Sequence, residues 1–331
     1  MIRWPNGASW RERFPQLAGL QTPEIGAVRS LGRPASRALM FAAKLRADDV
    51  QRLAAVEGCL LLLPAASRAM AAPLEQRHAV VYCDDPRYEF ARALDGLWTP
   101  ESLRGPLRWD AARGLTLGDN VRLDPTATIE PGATVASDCE LGPNVYVMSG
   151  ARVGPRVRLG PRTVVRENAV VGGWGFGLAL SPGRPTLRIP QIGGVQVGAD
   201  VEIGALATVC SGTIEPTQIA DRVKIDDHVH IGHNVRVAND VIATAAAVVG
   251  GSTRVGERTW LGLNCTILDR IAVGADCLIG VGAVVVPPLG AGRRVFGNPA
   301  RPLAEFRPRD AAPPASRSSL SADADGPPPQ P

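Results

Sequence analysis

Several features that would define a class of function are scarce or missing in this sequence. Aromatic residues make up only 5% of the 331 residues, and none of the six cysteines forms a CxxC pair. We therefore predict neither a zinc ribbon nor a dithiol redox motif, and interpret the cysteines as reduced thiols. The longest apolar stretches, CLLLLPAA and VIATAAAVV, are too short to span a bilayer. With no signal-peptide pattern, a cytoplasmic protein without stable membrane insertion is expected.

Positive charge is present but does not indicate nucleic acid. The formal net charge is +4, and only two lysines occur, Lys44 and Lys224. No basic stripe is interleaved with aromatic residues, so nucleic acid is not an expected partner. A modest positive charge remains compatible with substrates that carry phosphate.

Aliphatic residues recur every six positions through the middle of the chain. The series comprises Leu117, Leu123, Ile129, Val135, Leu141, Val147, Val153, Leu159, Val165 and Val171, and it resumes at Val197 and runs from Ile219 to Val285. A period of six fits neither a helix nor a simple alternating strand. It is typical of a parallel β-solenoid in which three hexapeptides form one triangular coil. Residues 18 apart should therefore lie above one another.

Two segments interrupt the repeat, at 172–194 (GGWGFGLALSPGRPTLRIPQIGG) and 210–218 (CSGTIEPTQ). Insertions in a solenoid leave as surface loops, where binding residues collect. Trp174 and Phe176 among the glycines of the first segment are therefore predicted substrate contacts.

The period divides the chain into three predicted regions. Residues 1–112 lack it and form a small α/β domain with possible uridine recognition; a helix over 85–98 should begin with Asp85 as N-cap. Residues 113–300 form the β-helix. Residues 301–331 are rich in Pro, Ala and Ser, which predicts a disordered tail.

Several motifs together resemble the UDP-3-O-acylglucosamine N-acyltransferases of lipid A biosynthesis. They are GGWGFGLAL, RIPQIGGVQVGADVEIGA, VKIDDHVHIGHNVRV and VVGGSTRVG. The resemblance implies a mainly β fold built on a left-handed parallel β-helix. It also implies a homotrimer with active sites between subunits and an acyl carrier protein or acyl-CoA as donor.

The sequence departs from that family at several positions. The uracil-contacting Phe is kept as Phe41, but its expected Asn and Tyr neighbours are replaced by Lys44 and Ala47. A second family histidine falls at Arg270, and an Asp of the glycine loop falls at Trp174. The ending VFGNPARPL instead resembles acetyl-CoA-dependent sugar acetyltransferases.

Three of the four histidines lie in KIDDHVHIGHNVRV (224–237), which leaves metal binding, a structural role and catalysis open. Within one chain, His228 and His233 are about 16 Å apart if extended, so they cannot share one ion. The third histidine that a metal site between subunits would need is missing near Ile192. We predict no metal site and no cofactor beyond the thioester co-substrate.

General-base catalysis fits His233 best, because amide formation requires a proton acceptor near neutrality. Gly251 lies 18 residues later, so its N–H should stand above His233 and stabilise the oxyanion. The resemblance points to the same pair. The sequence names no residue that orients His233. His230, Asn234, Lys224 and Asp226 are predicted substrate contacts, and Arg270 is a predicted phosphate contact.

The favoured function is N-acyl transfer from an acyl carrier protein to the amine of a UDP-linked 3-O-acylglucosamine. One alternative is an acetyl-CoA-dependent sugar acetyltransferase for surface polysaccharide. Another, of a different class, is a non-catalytic trimeric solenoid scaffold, which would not depend on His233.

Overall fold

A computed structural model describes residues 7–18, 24–95 and 105–297, and over most of this length the hexapeptides form short strands. The three described ranges belong to one compact unit. The predicted disordered tail (301–331) lies outside the described residues. No helix in the described ranges is both long and apolar enough to cross a bilayer.

The N-terminal region is a parallel sheet covered by helices on both sides. Its strands lie in the order β1-β2-β3-β4, with β1 at Ala27–Val28, β2 at Ala38–Phe41, β3 at Leu60–Pro64 and β4 at Ala79–Cys83. The helices are α1 (Gly7–Arg13), α2 (Ala47–Ala54), α3 (Arg68–Ala71) and α4 (Pro86–Leu94), with 3₁₀ turns at Pro15–Leu17, Ala65–Ser67 and Ala72–Leu74. This confirms the predicted small α/β region.

Alternating side chains of this sheet supply two separate cores. Leu39, Leu60 and Leu62 pack with residues of α1 and α4, whereas Met40 and Leu61 pack with residues of α2 and α3. Such alternation follows from the two-residue period of a strand. Helix α4 begins as predicted, because the Asp85 carboxylate accepts a hydrogen bond from the Tyr88 N–H at 2.9 Å.

The hexapeptides form a three-sided β-helix, and each side is one parallel sheet. Face 1 contains β5 (Leu107–Asp110), β6 (Leu115–Gly118), β9 (Thr134–Val135), β12 (Arg152–Val153), β15 (Val170–Trp174), β20 (Thr208–Ser211), β23 (His230–Ile231), β26 (Val248–Val249), β29 (Thr266–Ile267) and β32 (Val284–Val285). Strand β5 lies within the predicted range 1–112, yet it pairs antiparallel with β6 of the β-helix.

Face 2 contains β7 (Arg122–Leu123), β10 (Glu140–Leu141), β13 (Val157–Leu159), β18 (Val195–Val197), β21 (Thr217–Ile219), β24 (Arg236–Val237), β27 (Arg254–Val255) and β30 (Ala272–Val273). Face 3 contains β8 (Thr128–Ile129), β11 (Tyr146–Val147), β14 (Val164–Val165), β19 (Glu202–Ile203), β22 (Lys224–Ile225), β25 (Ile242–Ala243), β28 (Trp260–Leu261), β31 (Leu278–Ile279) and β33 (Arg294–Val295).

The aliphatic residues of the repeat point inward and form one continuous core. Ile231 pairs with Val249, 18 residues later, which matches the predicted coil length. Val147, Ile203 and Ile231 are almost fully buried in the same cluster. Each such residue contributes about 1.5–3 kcal/mol on burial, so the repeat itself drives the fold.

The two interruptions hold the N-terminal region against one corner of the β-helix. The first forms a hairpin of β16 (Leu178–Ala179) and β17 (Leu187–Arg188). Its Ala179 is buried in the same core as Phe90 of α4. From the second, Glu215 accepts a hydrogen bond from the Ser30 hydroxyl at 2.6 Å and pairs with Arg33 at 3.4 Å. Both segments leave the β-helix where face 1 turns into face 2.

Candidate active site at the His233 corner

His233 lies in the turn between face 1 and face 2, which we call the His233 corner, and two glycines enclose its ring. A Cβ built on Gly251 would lie 2.8 Å from His233 Nε2, and one built on Gly175 would collide with His233 Cβ. The Ser252 N–H donates to the His233 carbonyl at 2.8 Å, so the next coil stacks directly above. The 18-residue count thus places Gly251 over His233 as the sequence predicts.

Asn234 holds the imidazole of His233. Its side-chain Oδ1 lies 3.0 Å from His233 Nδ1 and accepts hydrogen bonds from the N–H and the hydroxyl of Thr213, at 3.2 and 2.8 Å. Its Nδ2 donates to the Glu215 carbonyl at 3.3 Å. These partners fix the amide with Oδ1 as the acceptor, so Nδ1 of His233 must carry the hydrogen. The lone pair is then on Nε2, the nitrogen beneath Gly251.

The N–H of Gly251 is available to a ligand. Its carbonyl accepts from the Arg270 N–H at 2.9 Å, but within the part of the chain described no acceptor is recorded for its N–H. An N–H beside the basic nitrogen of His233 is suited to stabilise an oxyanion. A base and an oxyanion donor therefore occupy adjacent coils of one corner.

His230 lies one step earlier, on face 1. Its Nδ1 is 2.7 Å from the Thr208 hydroxyl. Burial lowers the pKa of His230, and the nearby charge of His233 lowers it further. His230 is therefore held in its neutral form beside the candidate base, where it can serve as a polar contact for substrate.

The glycine-rich insertion packs on the same corner through Gln191, which the sequence reasoning missed. Gln191 is 2% exposed, its Nε2 donates to the Ile189 carbonyl at 2.9 Å, and a Cβ on Gly177 would lie 2.6 Å from that nitrogen. Trp174 is 42% and Phe176 75% exposed, and the Arg188 guanidinium lies 4.8 Å from the Phe176 ring centroid. The two predicted aromatic contacts thus flank the His233 corner.

Arg270 lies two coils above Asn234 in the same column, with Asp269 at 3.5 Å. Arg87 of α4 donates to the Leu178 carbonyl at 3.2 Å. Burial lowers the pKa of Arg87, and the charge of Arg270 lowers it further. Two guanidiniums from different regions therefore approach each other, an arrangement suited to an anion.

Three other predicted contacts lie away from this corner within one chain. Lys224 is on face 3 and donates to the Asp200 carbonyl at 3.0 Å. Asp226 accepts from the Ala245 N–H at 3.0 Å, in the turn between faces 3 and 1. Phe41 ends β2, where its ring lies 4.6 Å from that of Phe90. His228 is exposed in the same turn as Asp226.

Among the described residues, no group of three or more His, Cys, Asp or Glu side chains is arranged to hold a metal ion. The chemistry of the His233 corner is thus that of an imidazole, a backbone N–H and neighbouring cations.

Comparison with known proteins agrees with this architecture. Residues 138–173 match the family model "Bacterial transferase hexapeptide (six repeats)", and the strand order confirms the predicted left-handed parallel β-helix. The UDP-3-O-acylglucosamine N-acyltransferase of Delftia acidovorans is 41% identical over 239 residues, or 72% of this chain and 70% of the relative.

Other matches are shorter. The enzyme of that name from Bordetella parapertussis is 38% identical over 132 residues, so the chain spans only 36% of its length, and this relative covers 39% of the chain. Among solved structures, a UDP-N-acetylglucosamine acyltransferase from Campylobacter jejuni is 25% identical with a TM-score of 0.49, covering 53% of this chain and 67% of that one.

Proposed function

We propose an acyl-transfer function for this chain, which belongs to the UDP-3-O-acylglucosamine N-acyltransferase family. The proposed reaction moves an acyl group from a phosphopantetheine thioester to the amine of a UDP-linked 3-O-acylglucosamine. The observation that carries it is the geometry of the His233 corner. There the basic nitrogen of a fixed imidazole lies beneath a backbone N–H without a recorded acceptor in the described chain.

The residues at this corner divide the chemistry between them. The acceptor nitrogen attacks the thioester carbon, a C–N bond forms, and the carbonyl electrons move to oxygen beside the Gly251 N–H. Nε2 of His233 takes the proton that the attacking nitrogen loses. Collapse of the intermediate breaks the C–S bond, and the same proton passes to the leaving sulfur. Asn234 keeps Nδ1–H engaged and stabilises the imidazolium in between.

Substrate contacts can be proposed around this centre. His230, Trp174 and Phe176 line the approach on the face 1 side, and Arg87 with Arg270 would hold phosphate of the sugar nucleotide or the donor. Phe41, Lys224 and Asp226 remain proposed contacts. Because Lys224 and Asp226 lie on other sides of the β-helix, they would reach this substrate only from a neighbouring copy.

The proposed assembly is a homotrimer. Apolar side chains stand outward along faces 1 and 3, with Val284 58% and Trp260 44% exposed, and Leu263 lies in the turn between these faces. Face 2 instead presents polar side chains such as Gln218, Arg236 and Arg254. This distribution supports subunit contacts through faces 1 and 3, which would leave face 2 in solvent.

A transfer assay read by mass spectrometry tests the proposed function. UDP-3-O-acylglucosamine is the acceptor, and the donors are a hydroxyacyl carrier protein and acetyl-CoA in parallel. We expect N-acylated product from the carrier protein. Product from acetyl-CoA alone would support the sugar acetyltransferase alternative, and absence of product from every thioester would contradict acyl transfer to this acceptor.

A further inference from the structure

A groove of about 670 Å³ lies on face 1, on the N-terminal side of His233. Its walls include Leu107 of β5, Val170 and Trp174 of β15, and the faces of Gly154 and Gly172; Thr134 and Arg152 complete it. Its volume is within the range of small-ligand pockets. No residue of the proposed catalytic machinery other than Trp174 lines it.

The groove is continuous with the His233 corner. Trp174 pairs with Ser211 of β20, and the next strand along the face is β23, which carries His230. Gly175, the residue after Trp174, packs on the Cβ of His233. A molecule bound at Nε2 of His233 can therefore pass Trp174 and continue along the face toward β9.

The lining favours hydrocarbon. Leu107, Val170 and the Trp174 ring present carbon surface, the glycines leave room between them, and Arg152 is the single ionisable lining group. Burial of each methylene in such a groove is expected to raise affinity about fourfold. A sugar or a nucleotide would find few polar partners here.

The length of the path is set by strand spacing. Four strand steps separate β23 from β9 in the order β23-β20-β15-β12-β9, and steps of about 4.8 Å make roughly 19 Å. An extended chain covers about 3.5 Å for every three bonds, so this path matches about 16 carbons. By the same rule, the path ends after about 8 carbons at Val170 and about 12 at Arg152.

We propose that this groove holds the hydrocarbon chain of the acyl group being transferred, with Thr134 at its far end and Trp174 at its entrance. This inference rests on the proposed acyl transfer. It makes the protein specific for long-chain thioesters, and the outward side chains of face 1 set the length.

Filling the groove at two depths tests the inference. Val170→Trp blocks it two strand steps from β23, and Thr134→Trp blocks it four steps away. The matched control is Thr128→Trp, which adds the same side chain at an exposed position of face 3 in the same coil. The kcat/KM values are measured with carrier-protein thioesters of about 4, 8, 12 and 16 carbons. Circular dichroism and sedimentation confirm that each variant is folded and assembled like the wild type.

We expect Thr134→Trp to lower kcat/KM at least about tenfold for the longest donor only, since several methylenes lose their site. Val170→Trp should do so for every donor beyond the 8-carbon one, and Thr128→Trp should follow the wild type. Wild-type turnover with unchanged chain-length profiles in both groove variants would overturn the inference while leaving acyl transfer intact. A change that follows the acceptor's O-acyl chain instead of the donor's would also overturn it. Failure of the wild type with every donor would contradict the proposed function itself.

Discussion

At the residue scale, the central finding is that Asn234 determines which nitrogen of His233 is basic. The amide of Asn234 has a fixed orientation because Thr213 and Glu215 occupy both of its ends. This answers the question of an orienting partner, which the sequence left open. The left-handed backbone of Asn234, with φ of 60°, is tolerated by asparagine and turns the side chain back to its neighbour.

Replacing Asn234 with Asp should change the pH dependence of transfer. A carboxylate beside the imidazole favours the charged ring, which cannot accept a proton. The acidic limb of the kcat profile should therefore move to higher pH by about one unit, the size of a 1.4 kcal/mol interaction. Asn264→Asp is the control, because Asn264 occupies an exposed turn position with φ of 54°. Coincident profiles for Asn234→Asp and the wild type would contradict the assigned contact.

At the scale of elements, His78 joins α2 to the N-terminal sheet. Its Nδ1 accepts from the Cys59 N–H at 3.3 Å, and its Nε2 lies 3.1 Å from the Leu53 carbonyl. This pair of contacts requires a neutral ring with hydrogen on Nε2. Burial lowers the pKa of His78. The histidine thus serves as a structural link and leaves catalysis to the His233 corner.

The stability of the protein should accordingly fall in mild acid. In the unfolded chain, histidine binds a proton below about pH 6.5, whereas folded His78 resists it, so lower pH favours unfolding. Urea unfolding at several pH values should show His78→Gln to be less stable near neutrality but less sensitive to acid. His228→Gln, at an exposed position, should keep the wild-type slope. Equal slopes in all three proteins would mean that His78 titrates alike in both states.

At the scale of the whole molecule, the sequence predicts what repeats and leaves open what does not. The β-helix follows from one aliphatic residue in every six, because the stacking distance of 18 residues is fixed by that period. The position of Gly251 over His233 follows from the same arithmetic. No such rule reaches Gln191, Thr213 or Arg87, since the first two lie in insertions without register and the third comes from another region.

The face 1 groove was equally beyond sequence reasoning. Its walls combine the β5 hairpin with the bulge between Val171 and Gly173, and neither feature has a sequence signature in the hexapeptide pattern. The repeat thus defines the scaffold, and its interruptions define the proposed site.

The most direct test of the account is single-turnover transfer by His233→Ala, measured with and without added imidazole. If His233 is the base, the variant should lose about 10²–10⁴-fold in rate. The space left between Gly175 and Gly251 should let imidazole restore part of that loss. Transfer at the wild-type rate without imidazole would contradict the account, since no role for the His233 corner as a catalytic site would then remain.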